Sequence, residues 1–188
     1  FDEWMIESVR GLQPCAHKLN PETVARWFFA VNPRVTQVAE NATQRALFAL
    51  YQLCRSDGDI DFVIWLFNAL ESLLSTRVGE NFSGLVRRAA LVLELNATET
   101  AAMAKRLRKL YDLRSAFVHG GYDLAHPIHS EPIDTRLNKH YGNVLQLSMY
   151  GFFILASLLQ RMIETNRTVL VFEERLAGLQ RELKGSAP

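Results

Sequence analysis

Apolar residues recur every three or four positions along most of the chain, the spacing of a helix that buries one face. The pattern predicts a first long helix over residues 21–31. Asn20 is suited to cap its N-terminus, Pro21 fits the first helical position and Glu22 fits the first turn. A second long helix is predicted over residues 34–54.

The most apolar segment covers residues 60–74 and has hydrophobic side chains nearly all round. We expect a helix of this kind at the centre of the fold, because every face must be covered. Two more helices are predicted over residues 80–95 and 98–118, and either Asn96 or Thr98 should cap the second. Gly120-Gly121 should stop the second of these, since glycine accepts the left-handed conformation that follows a helix.

The rest of the chain continues the helical pattern. Helices are predicted over residues 135–164 and 168–183, with a short one over residues 2–12. The β-branched cluster Thr168-Val-Leu-Val-Phe172 leads straight into charged residues, so we expect it to begin the last helix rather than form a strand.

The sequence therefore predicts an all-α fold with two parts. Residues 56–188 should form a four- or five-helix bundle, and residues 1–55 an N-terminal helical extension packed on it. The uncharged stretch from Tyr141 to Gln160 is long enough to span a bilayer. Its polar residues and its one-sided apolar spacing favour a core helix of the bundle instead.

Composition narrows the function classes. With 48% hydrophobic residues among 188, the chain can bury a core without metals or disulfides. The net charge of +1 excludes a strongly basic nucleic-acid-binding protein, so any RNA contact must come from a local patch. Cys15 and Cys54 show no pairing or metal spacing, which indicates small buried side chains in a reducing compartment. No secretory leader is recognisable, and we expect a cytoplasmic protein.

The candidate chemistry lies at the end of the helix predicted over residues 98–118. Arg114 offers a fixed fork of donors for phosphate oxygens, and His119 can take and return a proton near neutral pH. Together they could cleave RNA without metal, with the ribose 2′-hydroxyl as nucleophile. The spacing alone favours a simpler interpretation as helix-end residues. Arg10 and His17 have a similar spacing across a broken segment.

Glu71 is a carboxylate within the most apolar helix. It either lies on a thin polar stripe with Asn68 and Ser72 and reaches water, or forms a buried pair with an arginine of a neighbouring helix. The residues alone leave both alternatives open.

Two other groups are weaker candidates. Lys105, Arg106, Arg108 and Lys109 give one helix a basic face, either a solvated surface or a patch that follows an RNA backbone. His126 and His129, in a proline-containing loop, are better suited to line the rim beside His119 than to hold a metal. We expect no metal and no other cofactor.

Longer motifs carry a family resemblance. The segment Leu110-Tyr-Asp-Leu-Arg-Ser-Ala-Phe-Val-His-Gly120 resembles the signature of the HEPN superfamily, and most closely its Apea-like branch. Ala69-Leu-Glu-Ser-Leu73 and Leu85-Val-Arg-Arg-Ala-Ala-Leu91 resemble two upstream helices of that branch. The resemblance covers Phe62 to Gly121, and the segment before Arg55 lies outside it.

The resemblance implies an HEPN-like bundle that dimerises and brings two arginine–histidine motifs into one cleft. Many members look like metal-independent ribonucleases of defence and toxin systems. In them the residue matching Arg114 would hold the scissile phosphate, and the one matching His119 would act as acid or base. Ser115 takes the place of a polar residue that is often Asn, Asp or His elsewhere. Glu71 would pair with Arg114 and set its direction.

Two hypotheses follow. The first is a homodimeric, metal-independent endoribonuclease of the HEPN type, with an antitoxin or another regulatory protein as a further partner. The second is a non-catalytic HEPN module that binds RNA, a nucleotide or a partner protein, because other members of the superfamily have lost catalysis. No membrane association is expected.

Overall fold

The computed structural model describes residues 17–34, 37–56, 60–76, 82–124 and 135–173. These residues form six α-helices and no strand, which confirms the predicted all-α class. The helices are α1 (Pro21–Val31), α2 (Ala42–Leu53), α3 (Ile60–Leu73), α4 (Phe82–Val92), α5 (Ala97–Val118) and α6 (Thr135–Glu164). The helix predicted over residues 2–12 lies outside the described residues.

Local capping explains where several helices begin. The Asn20 side chain accepts a hydrogen bond from the Glu22 backbone N–H at 2.8 Å, as the sequence predicted for α1. At the start of α5, Asn96 and Glu99 form a reciprocal capping box. Asn caps are therefore readable in the sequence, because they depend on neighbouring residues only.

The predicted start of the second helix at residue 34 is wrong, because α2 begins only at Ala42. Asn41 caps it by accepting from the Gln44 backbone N–H at 2.9 Å. The buried Gln44 side chain accepts from the Glu40 N–H at 2.8 Å and donates to the Val31 carbonyl at 3.0 Å. The side-chain amide of Gln44 thus replaces hydrogen bonds that the backbone would form with itself in a continuous helix.

The prediction that Thr168 to Phe172 begin a helix is also wrong, because residues 168–173 are not helical. The Trp27 indole donates to the Arg167 carbonyl at 2.8 Å, and the Thr43 hydroxyl donates to the Thr168 carbonyl at 2.6 Å. Leu170 is buried among the helices. Side chains of α1 and α2 therefore bind this segment, and residues 174–183 lie outside the described part of the chain.

The helix α3 is central, as its composition predicted. It packs along α2 and also contacts α5 and α6. Six of its side chains are completely buried, namely Val63, Leu66, Phe67, Ala69, Leu70 and Leu73. One hydrophobic cluster contains residues of all six helices. The described part of the predicted N-terminal extension, α1 and α2, therefore shares its core with the later helices.

The helix α6 contains the stretch Lys139–Glu164, which within the described residues is the one helix long and apolar enough to cross a membrane. Of its most apolar part, 44% is buried inside the fold. Ile154, Leu155 and Leu158 belong to the shared core. This packing agrees with the core helix that the sequence predicted.

One smaller expectation comes out differently, and one residue named in the sequence analysis has a structural contact. Cys54 follows α2 and is exposed, so the prediction of a buried thiol is wrong at this position. His17 lies against α6, where its Nε2 atom is 2.7 Å from the Glu164 carboxylate. This contact gives His17 a role in attaching the N-terminal segment to the bundle. Cys15 and Arg10 lie outside the described residues.

Candidate functional site

The arginine–histidine motif forms the last turn and the cap of α5. His119 is the C-cap residue, and its backbone N–H still donates to the Ser115 carbonyl at 3.0 Å. Gly120 follows with φ of +74°, the left-handed conformation that glycine adopts without strain. The Gly121 N–H then closes the turn on the Ala116 carbonyl at 2.7 Å. The predicted glycine stop is confirmed.

Arg114 forms a two-point ion pair with Glu71 of α3. Arg114 Nη1 lies 3.0 Å from Glu71 Oε1, and Nη2 lies 3.2 Å from Oε2. The two side chains are 30% and 33% exposed, so water still reaches them. The predicted pairing is confirmed as a contact. Because two parallel hydrogen bonds define a plane, Glu71 fixes the orientation of the guanidinium group.

Aromatic rings complete the surroundings of Arg114. Its Cζ atom lies 5.7 Å from the centroid of Phe67 and 5.9 Å from that of Tyr111. The two rings meet edge to face with centroids 5.6 Å apart. The guanidinium is thus held by a carboxylate and two ring faces, which favours a fixed position. Neither aromatic residue was singled out from the sequence, although Tyr111 lies one helical turn before Arg114.

The other interpretation of Glu71, a polar stripe that reaches water, is also partly right. Asn68 and Ser72 join Glu71 in lining a polar pocket of about 290 Å³ between α2 and α3. The remaining lining residues are Arg45, Ser75 and Thr76. Glu71 therefore lies at the edge between the core and this pocket.

The buried Arg88 of α4 is a structural arginine that supports α3 near Glu71. Its Nη1 atom donates to the Leu74 carbonyl at 3.0 Å and to the Ser75 carbonyl at 2.7 Å. These carbonyls lie just after the last turn of α3, where the helix leaves backbone acceptors unpaired. Arg88 thus stabilises the end of the helix that carries Glu71.

Burial of the Glu71 carboxyl raises its pKa above the ordinary value, and the charge and hydrogen bonds of Arg114 oppose this rise only in part. Desolvation has this effect because it penalises the charged form of a carboxyl group. The ion pair therefore offsets the cost of placing a carboxylate here and adds little net stability.

We expect Glu71→Gln to remove a pH-dependent contribution to stability. Since the folded-state pKa lies above the unfolded-state value, the folded protein binds more protons between the two. Glu71 then contributes most to the free energy of unfolding at acid pH, and less as pH rises through that window. The free energy of unfolding of the parent minus that of the variant should decrease from roughly pH 4 to pH 7.

Urea unfolding at a series of pH values measures this difference. At pH 7 the two proteins should differ by less than about 1 kcal/mol, because a third of each side chain is exposed. Glu40→Gln, at an exposed carboxyl group, controls for the general loss of one negative charge. A parent-minus-variant difference that increases with pH would mean that Arg114 lowers the pKa of Glu71 overall.

His119 is exposed, and among the described residues its ring has no hydrogen-bond partner. Five residues of regular helix separate it from Arg114, which turns the two positions about 140° apart around the axis of α5. The helix stays regular up to His119, so unwinding does not bring them together. Ser115, half-buried, lies one turn before His119 on the same side. Within one protomer, the side chains of Arg114 and His119 therefore do not point to a common site.

The chain after His119 is attached to α6. The Tyr122 hydroxyl lies 3.0 Å from Nε2 of His140, and its ring packs edge to face on Phe117 with centroids 5.9 Å apart. This contact keeps the glycine turn close to the bundle. This contact was not predictable from local sequence, because Tyr122 and His140 are on different elements.

The predicted basic residues are exposed, but they do not form one uniform patch. Lys105 and Lys109 lie one turn apart on α5. Arg108 lies over the ring of Phe82, with its Cζ atom 4.0 Å from the centroid. Arg106 points to the other side, where its Cζ lies 5.0 Å from the centroid of Tyr150. The two arginines therefore cover two separate rings.

Within the described ranges no group of three His, Cys, Asp or Glu side chains is placed to hold a metal ion. His126 and His129 lie outside the described residues, so their predicted position at the rim is still a prediction.

In comparisons with known proteins, the chain matches no family model, no curated protein and no solved structure. The resemblance to the HEPN superfamily therefore depends on the motif residues themselves.

Proposed function

We propose that this protein is a metal-independent endoribonuclease of the HEPN type in which Arg114 and His119 act at a dimer interface. One observation carries the proposal. The Arg114 guanidinium is oriented by Glu71, in a half-exposed position, on the same helix whose exposed cap is His119. A purely structural helix end does not require such an orientation.

Arg114 is suited to hold the scissile phosphate. A guanidinium group has five N–H donors, and the pair with Glu71 uses two of them. The others are left to bind phosphate oxygens and to stabilise the charge that develops in the transition state. Glu71 acts as a positioning residue, because it contacts the arginine and not the substrate.

His119 is suited to move the protons. As a base it takes the proton of the ribose 2′-hydroxyl, and the 2′-oxygen attacks phosphorus. The bond from phosphorus to the 5′-oxygen breaks, and His119 returns the proton to that oxygen. The products are a 2′,3′-cyclic phosphate and a 5′-hydroxyl end. Ser115 lies one turn away from His119 and acts as a minor polar contact.

The orientation of the motif argues for a second copy of the chain. Arg114 and His119 leave the helix about 140° apart, so a two-fold dimer would have to set Arg114 of one protomer against His119 of the other. Exposed apolar side chains lie next to the motif in sequence, at Val118 and Leu124. Others lie on α6, at Tyr141 and Leu145. A surface of this kind is typical of an interface between protein chains.

RNA is the proposed substrate, and the cytoplasm the proposed location. Lys105, Arg108 and Lys109 of α5 are exposed and would contact the phosphate backbone beside the cleaved bond. Because an unrestrained ribonuclease would damage its own cell, we propose an antitoxin or another regulatory protein as a further partner.

The alternative is a non-catalytic module that binds RNA, a nucleotide or a partner protein. Its specific support is that Glu71 already neutralises Arg114 and that His119 points elsewhere within the protomer. In such a module the ion pair would only hold Arg114 in place, and the exposed end of α5 would be the binding surface.

Incubating the purified protein with single-stranded RNA in excess EDTA separates the two functions. We expect cleavage that leaves 2′,3′-cyclic phosphate ends, and no cleavage by a folded His119→Ala variant. Light scattering should show a dimer. A folded dimer that binds RNA without cutting it would establish the binding module, and cleavage that EDTA abolishes would contradict the metal-independent mechanism.

A further inference from the structure

Arg108 presents a flat, charged face to solvent. Its Cζ atom lies 4.0 Å from the centroid of Phe82, so one face of the guanidinium group rests on that ring. Phe82 is only 8% exposed, because the arginine and the neighbouring helices cover it. Arg108 itself is an exposed residue, so a ligand can reach it from solvent.

The same aromatic cluster connects Arg108 with Arg114. We define the cluster by the rings of Phe67, Phe82 and Tyr111. Tyr111 packs on Phe82 with ring centroids 5.2 Å apart, and the Cζ atoms of Arg108 and Arg114 lie 5.6 and 5.9 Å from the Tyr111 centroid. The two guanidinium groups are therefore no more than about 12 Å apart.

We propose that the guanidinium plane of Arg108, supported by Phe82, stacks a nucleobase of single-stranded RNA beside the phosphate that Arg114 holds. The inference rests on the proposed function and names the part of the substrate that this surface recognises. Unpaired bases stack on arginine planes in many RNA-binding proteins. The separation of the two arginines suits a base and a phosphate that belong to neighbouring nucleotides of one strand.

The near-neutral charge of the protein makes such a contact useful. With a net charge of +1, general attraction to the RNA backbone is weak. Stacking adds affinity that does not depend on the total charge, and it accepts any base because every base has a flat face. A lysine cannot replace arginine here, because an ammonium group has no plane.

Arg106 provides the matched control on the same helix. It is exposed and lies over Tyr150 much as Arg108 lies over Phe82, with its Cζ atom 5.0 Å from the centroid. Two residues of helix turn Arg106 about 160° away from Arg108 around the axis. Arg106 therefore has a similar structural role over Tyr150, a ring outside the aromatic cluster that Arg108 and Arg114 share.

The test compares the binding of two short RNA strands to the full-length chain with His119→Ala, which prevents cleavage. One strand is an unstructured RNA, and the other has the same backbone without bases. We expect the first to bind about tenfold more tightly, as one or two stacked bases would give. Arg108→Lys should abolish this ratio and leave the affinity for the baseless strand nearly unchanged. Arg106→Lys should leave the ratio as it is.

Other results would overturn the inference in distinguishable ways. If both strands bind equally well, base stacking is absent while RNA binding stands. If Arg108→Lys keeps the tenfold ratio, Arg108 contributes charge alone. If neither strand binds to a folded dimer, the proposed function fails and the inference fails with it.

Discussion

Two inactive variants, Arg114→Ala and His119→Ala, should restore about a quarter of the parent cleavage rate when they are mixed in equal amounts. Each variant alone should lose at least about 100-fold in rate, since it lacks either the phosphate ligand or the proton-transfer group. Because the two side chains leave α5 about 140° apart, we expect each site to combine Arg114 of one protomer with His119 of the other.

The expected recovery follows from the symmetry of the dimer. Half of the mixed dimers contain one copy of each variant, and each such dimer keeps one complete site of its two. Cleavage is measured after the chains have been unfolded and refolded together, with native mass spectrometry to count the mixed dimers. The double variant Arg114→Ala/His119→Ala, refolded with either single variant, should recover nothing. Mixed dimers without activity would contradict a site shared in this way.

Gly151→Ala should lower the free energy of unfolding by about 1–3 kcal/mol. Gly151 lies in α6, where an added Cβ atom would come 2.6 Å from Leu66 Cδ2 and 2.8 Å from Leu110 Cδ2. Both leucines are completely buried, so neither can move aside without disturbing the core. The glycine thus permits the close approach of α6 to α3 and α5, the helices that carry Glu71 and Arg114.

Gly142 in the same helix is the matched control. An added Cβ atom would meet nothing within 4 Å there, and the residue is exposed. Gly142→Ala should raise the free energy of unfolding by about 0.5–1 kcal/mol, because alanine favours the helix. Urea unfolding of both variants gives the comparison. Equal stability of the two would show that the core adapts to an extra methyl group at Gly151.

The positions of most helices could be predicted because their signals are local. The central helix follows from its own apolar residues, and the caps at Asn20 and Asn96 depend on the next two or three positions. The pairing of Glu71 with Arg114 was predictable for another reason. A carboxylate in an apolar helix needs a partner, and the family resemblance suggested which arginine that is.

The features that escaped prediction depend on residues distant in sequence. The late start of α2 depends on how the Gln44 amide binds the Val31 carbonyl, and the non-helical segment after α6 depends on Trp27 and Thr43. Similarly, Arg106 and Arg108 look alike in the sequence. They separate because Tyr150 and Phe82 lie on opposite sides of α5.

The ion pair between Glu71 and Arg114 has a consequence for how this sequence can evolve. The two residues are 43 positions apart in sequence and lie on separate helices. Each side chain carries the charge that neutralises the other. A lineage that loses one of them retains a lone, partly desolvated charge until the second position changes as well. We therefore expect the two codons to be inherited and replaced together, so that related chains contain either both residues or neither.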